Sequence, residues 1–153
     1  MEKELKVAAL RNGTVIDHIP ADKLFQVVSV LRLKYYNHPI TIGNNFDSKR
    51  MGTKGIIKIS DRFLEVDEAS KIALIAPNAK INIIKEYKVV DKRPLILGNE
   101  IYDVMHCANP VCITNHQPVP TKFFVLREGN QISLKCSYCE REVKQEEVKI
   151  KKK

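Results

Sequence analysis

The sequence predicts an α+β protein in two modules, an N-terminal α/β sandwich followed by a small β module stapled by a metal. Three observations carry this prediction. Between Leu5 and Asp91, stretches rich in β-branched residues alternate with two amphipathic ones in the order β-α-β-β-α-β. All four cysteines fall after residue 106, as Cys107-Ala-Asn-Pro-Val-Cys112 and Cys136-Ser-Tyr-Cys139. Pro94 and Gly98 bracket a linker between the two parts. The expected division is therefore 1–97 and 98–153.

The elements follow in chain order. Leu5 to Leu10 interleaves apolar and polar side chains, and Asn12-Gly13 punctuates before Thr14-Val15-Ile16, so a strand that bends or restarts is expected. Pro20 opens a helix whose apolar stripe is Leu24, Val27, Val28 and Leu31, spaced i, i+3, i+4, i+7. Pro39 stops anything helical. Ile40-Thr41-Ile42 and Ile56-Ile57-Lys58-Ile59 read as two strands joined by a long polar loop from Asn44 to Gly55. A second helix starts near Asp67, where Asp67 and Glu68 suit a positive N-terminal end. Its stripe is Ala69, Ile72, Ala73 and Ala76, and Pro77 ends it. Lys80 to Asp91 forms the last strand.

This order is that of the split β-α-β, ferredoxin-like sandwich, in which two helices cover one face of an antiparallel sheet and leave the other open. The strand period of two sends Ile57 and Ile59 to the helices and Lys58 the opposite way. From these residues alone, Lys58 is either a solvated lysine or one aimed at a ligand. Lys92-Arg93 either neutralises a polyphosphate or forms an ordinary charged turn. Asp17-His18 either caps the following helix or binds a ribose and phosphate.

In the second module, Phe123-Phe124-Val125-Leu126 and Ile132-Ser133-Leu134 flank Glu128-Gly129-Asn130, a hairpin that returns Cys136 to the first cysteine pair. The module is expected to begin near Tyr102, and the charged tail after Cys139 to fray. The cysteine spacing is C-x4-C, 23 residues, then C-x2-C. Two short knuckles brought together by a hairpin give four soft donors to a tetrahedral Zn²⁺, so one structural zinc ion per chain is expected on Cys107, Cys112, Cys136 and Cys139. Four thiolates close the shell and leave no position for a substrate. Paired disulfides, or His106 or His116 in place of one cysteine, are the alternatives.

The formal charge is +8, and Lys151-Lys152-Lys153 contributes three of it. A Zn²⁺ adds two and four thiolates remove four, which leaves +6, too modest a bias to identify a nucleic-acid partner. The start, Met1-Glu2-Lys3-Glu4, leads into no apolar run, and no stretch approaches the ~20 apolar residues of a membrane span, so a cytoplasmic protein without membrane contact is expected. There is no phosphate-cradling glycine loop, and zinc would occupy the cysteines that might act as nucleophiles, so no enzyme is expected.

One combination is far more specific. Val7-Ala-Ala-Leu-Arg-Asn-Gly-Thr-Val-Ile-Asp-His-Ile-Pro20, Met51-Gly52 ahead of Ile56-Ile57-Lys58-Ile59, Ala76-Pro77 with Asn82, and Leu134-Lys135-Cys136-Ser137-Tyr138-Cys139-Glu140 together resemble the regulatory chains of aspartate carbamoyltransferase, from about residue 5 to 140. The resemblance implies a non-catalytic, allosteric subunit of pyrimidine biosynthesis. Its N-terminal domain would bind ATP and CTP and pair with a second regulatory chain, and its zinc domain would dock on the catalytic chain. Carried over by position, Ala9, Leu10, Ile84 and Tyr87 would read the base. Asp17 and Lys58 would hold the ribose, Val15 and Val89 would line the site, and His18 and Lys92 would reach the phosphates. The alternative is a zinc-ribbon nucleic-acid-binding protein, whose binding would fall steeply with salt.

Overall fold

The structure is a computed structural model that describes residues 10–49, 52–95, 97–129 and 131–151. The described residues form two compact units, divided between residues 96 and 97.

In the first unit, β1 (Gly13–Pro20) leads through a 3₁₀ turn into α1 (Leu24–Val30). Then come β2 (Ile40–Ser48), β3 (Gly52–Ser60), α2 (Val66–Ile75), β4 (Lys80–Lys85) and β5 (Lys88–Pro94). Among the described residues the strands make an antiparallel sheet in the order β2-β3-β1-β4-β5. Its first four strands have the ferredoxin-like order expected from the β-α-β-β-α-β reading.

Alternation of burial shows which face the helices cover. Thr14, Ile16, Ile57, Ile59, Ile81 and Ile83 are buried, whereas Val15, Lys58 and Asn82, their neighbours along the strands, are not. Leu24, Val27 and Leu31 of the α1 stripe are buried and Val28 half-buried. Gly55 of β3 lies so close under α1 that a Cβ there would stand 2.7 Å from Leu24 Cδ1 and 2.9 Å from Asn44 Oδ1, so a side chain would force these neighbours to shift. At α2 the expected acidic start takes the form of a capping box, Glu65 with Glu68, and Ile72, Ala73 and Ala76 are buried.

Three expectations in this unit need correction, and a fourth falls almost wholly on residues that are not described. The helix does not open at Pro20; β1 runs through it, because Pro20 ends the strand's pairing with Lys54 and a 3₁₀ turn intervenes. The loop expected from Asn44 to Gly55 is mostly strand, with a β-bulge between Gly43 and Phe46 that absorbs its asparagines. The last strand, Lys80 to Asp91, is a hairpin of β4 and β5, turned at Glu86 and Tyr87 with φ of +50° and +65°. Neither residue announces a turn as Asn-Gly would, so the sequence reads as continuous strand. The expected strand at Leu5 to Leu10 lies outside the described residues except for Leu10.

The second unit has β6 (Glu100–Tyr102), β7 (Lys122–Glu128), β8 (Gln131–Cys136) and β9 (Glu142–Lys144), antiparallel in that order. The hairpin of β7 and β8 is the expected one, with Gly129 at φ +58°. Ile101, Met105, Phe123, Val125, Leu134 and Cys136 form a small core. Among the described residues, which run to Lys151, the tail does not fray. β9 extends the sheet, His106 N–H donates to Lys149 O at 2.9 Å, Ile150 bridges Met105, and Lys151 pairs with Asp103. Its alternating charges conceal backbone pairing, which residue type does not reveal. Among the described residues, no helix is long and apolar enough to cross a membrane.

Candidate functional site

The metal centre is built from two knuckles. The first follows β6: Cys112 N–H donates to Asn109 O at 3.0 Å, and a 3₁₀ turn, Ile113–Asn115, follows immediately. The second sits between β8 and β9, where Glu140 N–H donates to Cys136 O at 2.9 Å. Because β7 and β8 pair Phe123 with Cys136, the hairpin carries the second knuckle back to the first. The sulfurs of Cys107, Cys112, Cys136 and Cys139 all lie within 4.8 Å of one another. Two of the separations are 3.6 Å, Cys107 to Cys139, and 3.8 Å, Cys112 to Cys136. A tetrahedral Zn²⁺ with bonds of about 2.3 Å requires about 3.8 Å between sulfurs, so the donor set fits one structural zinc ion.

The alternatives do not fit this geometry. All four thiols are free, and 3.6 Å is far outside the roughly 2.05 Å of a disulfide. The His116 ring lies 2.7 Å from Pro110 O, which accepts from Nε2. Burial pushes the Cys107 thiol up to about 12 and raises that of Cys136, against N–H donors from Asn109 in the first case and from Cys139 and Tyr138 in the second. At Cys139 burial acts the same way but is outweighed by the Arg141 N–H, the Asn109 side chain and the neighbouring thiols, which bring it down to about 7. A divalent cation would reverse the burial penalty by ionising all four.

The second candidate site is the helix-free face of the first unit. Register lines up Thr41, Lys58, Val15, Asn82 and Lys92 across β2, β3, β1, β4 and β5 in a single row. Ile84 lies one pleat further along β4, opposite Gly13 on one side and Val89 on the other. The β4–β5 turn is held against the start of β1: Tyr87 N–H donates to Arg11 O at 2.9 Å and Glu86 N–H to Asn12 Oδ1 at 3.1 Å. Leu10 therefore lies near Tyr87, at the end of the row's apolar side. Tyr87 and Val89 are exposed. Ala9 lies outside the described residues.

Asp17 and His18 sit at the opposite end, inside a bulge of β1 where His18 takes φ +60°. Asp17 accepts the His18 N–H at 2.6 Å and pairs with Lys54 at 3.0 Å. The sequence gives Lys54 no signal of its own, because it falls in the stretch expected to be loop. It lies on the same face of β3 as Lys58, two pleats away, and only 9% of it is exposed. A shallow pocket of about 380 Å³ opens beside this end, lined in part by Asn78, Lys80, Asn82, Lys92 and Arg93. Arg93 is drawn to Asp91 at 2.8 Å.

Fold and site thus define a two-module protein in which a closed four-thiolate centre shapes the smaller module and a lysine-bearing open sheet face marks the larger. Comparison with known sequences identifies the particular family. Residues 5–95 match the aspartate carbamoyltransferase regulatory chain, allosteric domain, and residues 99–149 the metal binding domain of the same chain. The chain is similar to the aspartate carbamoyltransferase regulatory chain of Phocaeicola vulgatus, 51% identical over 97% of this chain and 96% of that one. The same chain of Parabacteroides distasonis is 51% identical over 98% and 97%, and that of Pyrococcus abyssi 45% identical over 95% and 96%. The protein belongs to the family of aspartate carbamoyltransferase regulatory chains. It is a non-catalytic chain with an allosteric and a metal-binding domain, and nothing favours the nucleic-acid-binding alternative over this one.

Proposed function

We propose that residues 1–97 form an allosteric domain that binds the nucleoside triphosphates CTP and ATP on the open sheet face and pairs with a second regulatory chain, and that residues 98–153 dock on the catalytic chain of a cytoplasmic aspartate carbamoyltransferase. The row across the sheet is the observation that carries the nucleotide reading. It sets Lys58 and Asn82 on either side of Val15, with Lys92 beyond Asn82, so that two cations and an amide share one face with an apolar residue. A base would lie toward Leu10, Ile84, Tyr87 and Val89, with the ribose near Asp17 and Lys58. The phosphates would extend past His18 and Lys92 toward the pocket that Lys80 and Arg93 help to line. Ala9 would complete the base end.

In the second domain, Cys107, Cys112, Cys136 and Cys139 hold one zinc whose role is to fix the knuckles. Val111, 80% exposed, with Ile113 and Tyr138, forms an apolar fringe at the knuckle tips. Such a fringe suits the core of a protein interface. The regulatory mechanism then needs no chemistry from this chain. A nucleotide that binds one state of the holoenzyme better than another shifts the population toward that state.

The test is reconstitution. The purified chain should contain one zinc, show no carbamoyltransferase turnover alone, co-elute with catalytic trimers, and make their aspartate saturation curve respond to CTP and ATP. Co-elution without any nucleotide response would overturn the allosteric reading, and failure to associate would overturn the docking reading.

A further inference from the structure

Three cysteines of the metal centre have the backbone N–H of the residue two places further on as a donor neighbour. Cys107 accepts the Asn109 N–H, Cys136 the Tyr138 N–H, and Cys139 the Arg141 N–H. At Cys112 the same offset brings a side chain: the Thr114 hydroxyl oxygen lies 3.2 Å from Cys112 Sγ. Thr114 is 9% exposed and Cys112 2% exposed, so this contact is made away from water. The 3₁₀ turn Ile113–Asn115 fixes it. Asn115 N–H donates to Cys112 O at 3.0 Å, while the Asn115 side chain donates to Cys107 O at 3.0 Å and Asn109 O at 2.8 Å. Both ends of the first knuckle are thereby tied to the residue next to Thr114.

We propose that Thr114 is a positioning residue of the metal centre: its hydroxyl donates to the Cys112 thiolate, fixes that sulfur's rotamer, and slows the loss of zinc from the shell. The inference rests on the zinc reading above. A Zn²⁺ with four thiolates has a net charge of −2, and burying that charge is costly unless donors surround the sulfurs. With Cys112 ionised, the hydroxyl can only be the donor, and a charge-assisted bond in a dry site is stronger than its neutral counterpart. Withdrawing it leaves a more electron-rich, less constrained sulfur that a proton or a chelator captures sooner. Outer-shell partners of this kind typically alter metal affinity by about 10–100-fold.

The experiment compares wild type, Thr114→Val, Thr114→Ala and Thr114→Ser as full chains. Zinc content is measured first, then the rate of zinc transfer to a colorimetric chelator, then the thiolate-to-metal charge-transfer band of the Co²⁺-substituted proteins. A wild type without one zinc per chain would refute the metal reading itself, whatever the variants do. With wild type loaded, the expected result is roughly 10-fold faster release from the valine and alanine variants, a charge-transfer band moved to lower energy, and wild-type behaviour restored by serine. Should the valine chain not take up metal, the alanine and serine pair decides. Release rates and spectra unchanged in alanine, or serine behaving as alanine does, would overturn the proposal.

Discussion

Replacing Lys58 and Lys92 by alanine, singly, tests the nucleotide site most directly, because the structure predicts unequal effects. Both side chains project from the helix-free face in the row through Val15 and Asn82. Lys58 comes from β3, an interior strand, and is half-buried, whereas Lys92 belongs to the edge strand β5 and is exposed. A hydrogen bond to a charged group contributes about 1.5–3 kcal/mol, which corresponds to roughly 10- to 150-fold in affinity. The upper part of that range applies where water is excluded, so Lys58→Ala should weaken CTP and ATP by about 50-fold and Lys92→Ala by about 10-fold. The Lys92 effect should also shrink more as salt is raised. Because an effector moves the enzyme only through its different affinities for two states, both variants should blunt the allosteric response. Neither lies in the zinc domain, so assembly should persist. Calorimetric titration of nucleotide into reconstituted holoenzyme, at low and high salt, is the assay. Unchanged affinity in both variants would return the two lysines to the solvated surface, and a Lys92 effect ten times larger than that of Lys58 would refute the reasoning from burial.

Two further outcomes are expected. Cys139→Ser, like chelation of the metal, should remove zinc and abolish co-elution with catalytic trimers while the five-stranded sheet remains folded; if the variant co-elutes at normal stoichiometry, the metal does not shape the docking surface. Gly13→Ala should cost the first domain at least ~2 kcal/mol, about 10 °C in melting temperature, because Gly13 has φ +148° and a Cβ there would stand 2.0 Å from Ile59 O; a melting curve matching wild type would refute it.

The metal centre and the open face differ in how far they can be read from residue order, and the difference is one of range. Cys107 with Cys112 and Cys136 with Cys139 are close in sequence, each knuckle is shaped by its own backbone, and a single hairpin joins them, so spacing nearly determines geometry. The row from Thr41 to Lys92 instead depends on register across five strands, and β1 is joined in it to β3 and β4, both far from it in the chain. Three irregularities set that register: the bulge at Asp17–His18, the one between Gly43 and Phe46, and the one between β4 and β5. The residue types announce them only weakly: His18 and Asn45 are of types that tolerate positive φ without requiring it, and Glu86 and Tyr87 take it at the hairpin turn without a glycine. Lys54 shows the consequence. Period two predicts that it shares a face with Lys58, but only if residues 52–60 form one strand, and the asparagine- and glycine-rich stretch before it read as loop. Once the strand extends, Lys54 becomes a nearly buried cation whose charge is met by Asp17 at 3.0 Å. Asp17 then has two duties, to orient Lys54 and to face the proposed ribose. A variant at Asp17 would therefore disturb a buried ion pair as well as any ligand contact, whereas Lys58 and Lys92 report on the face itself.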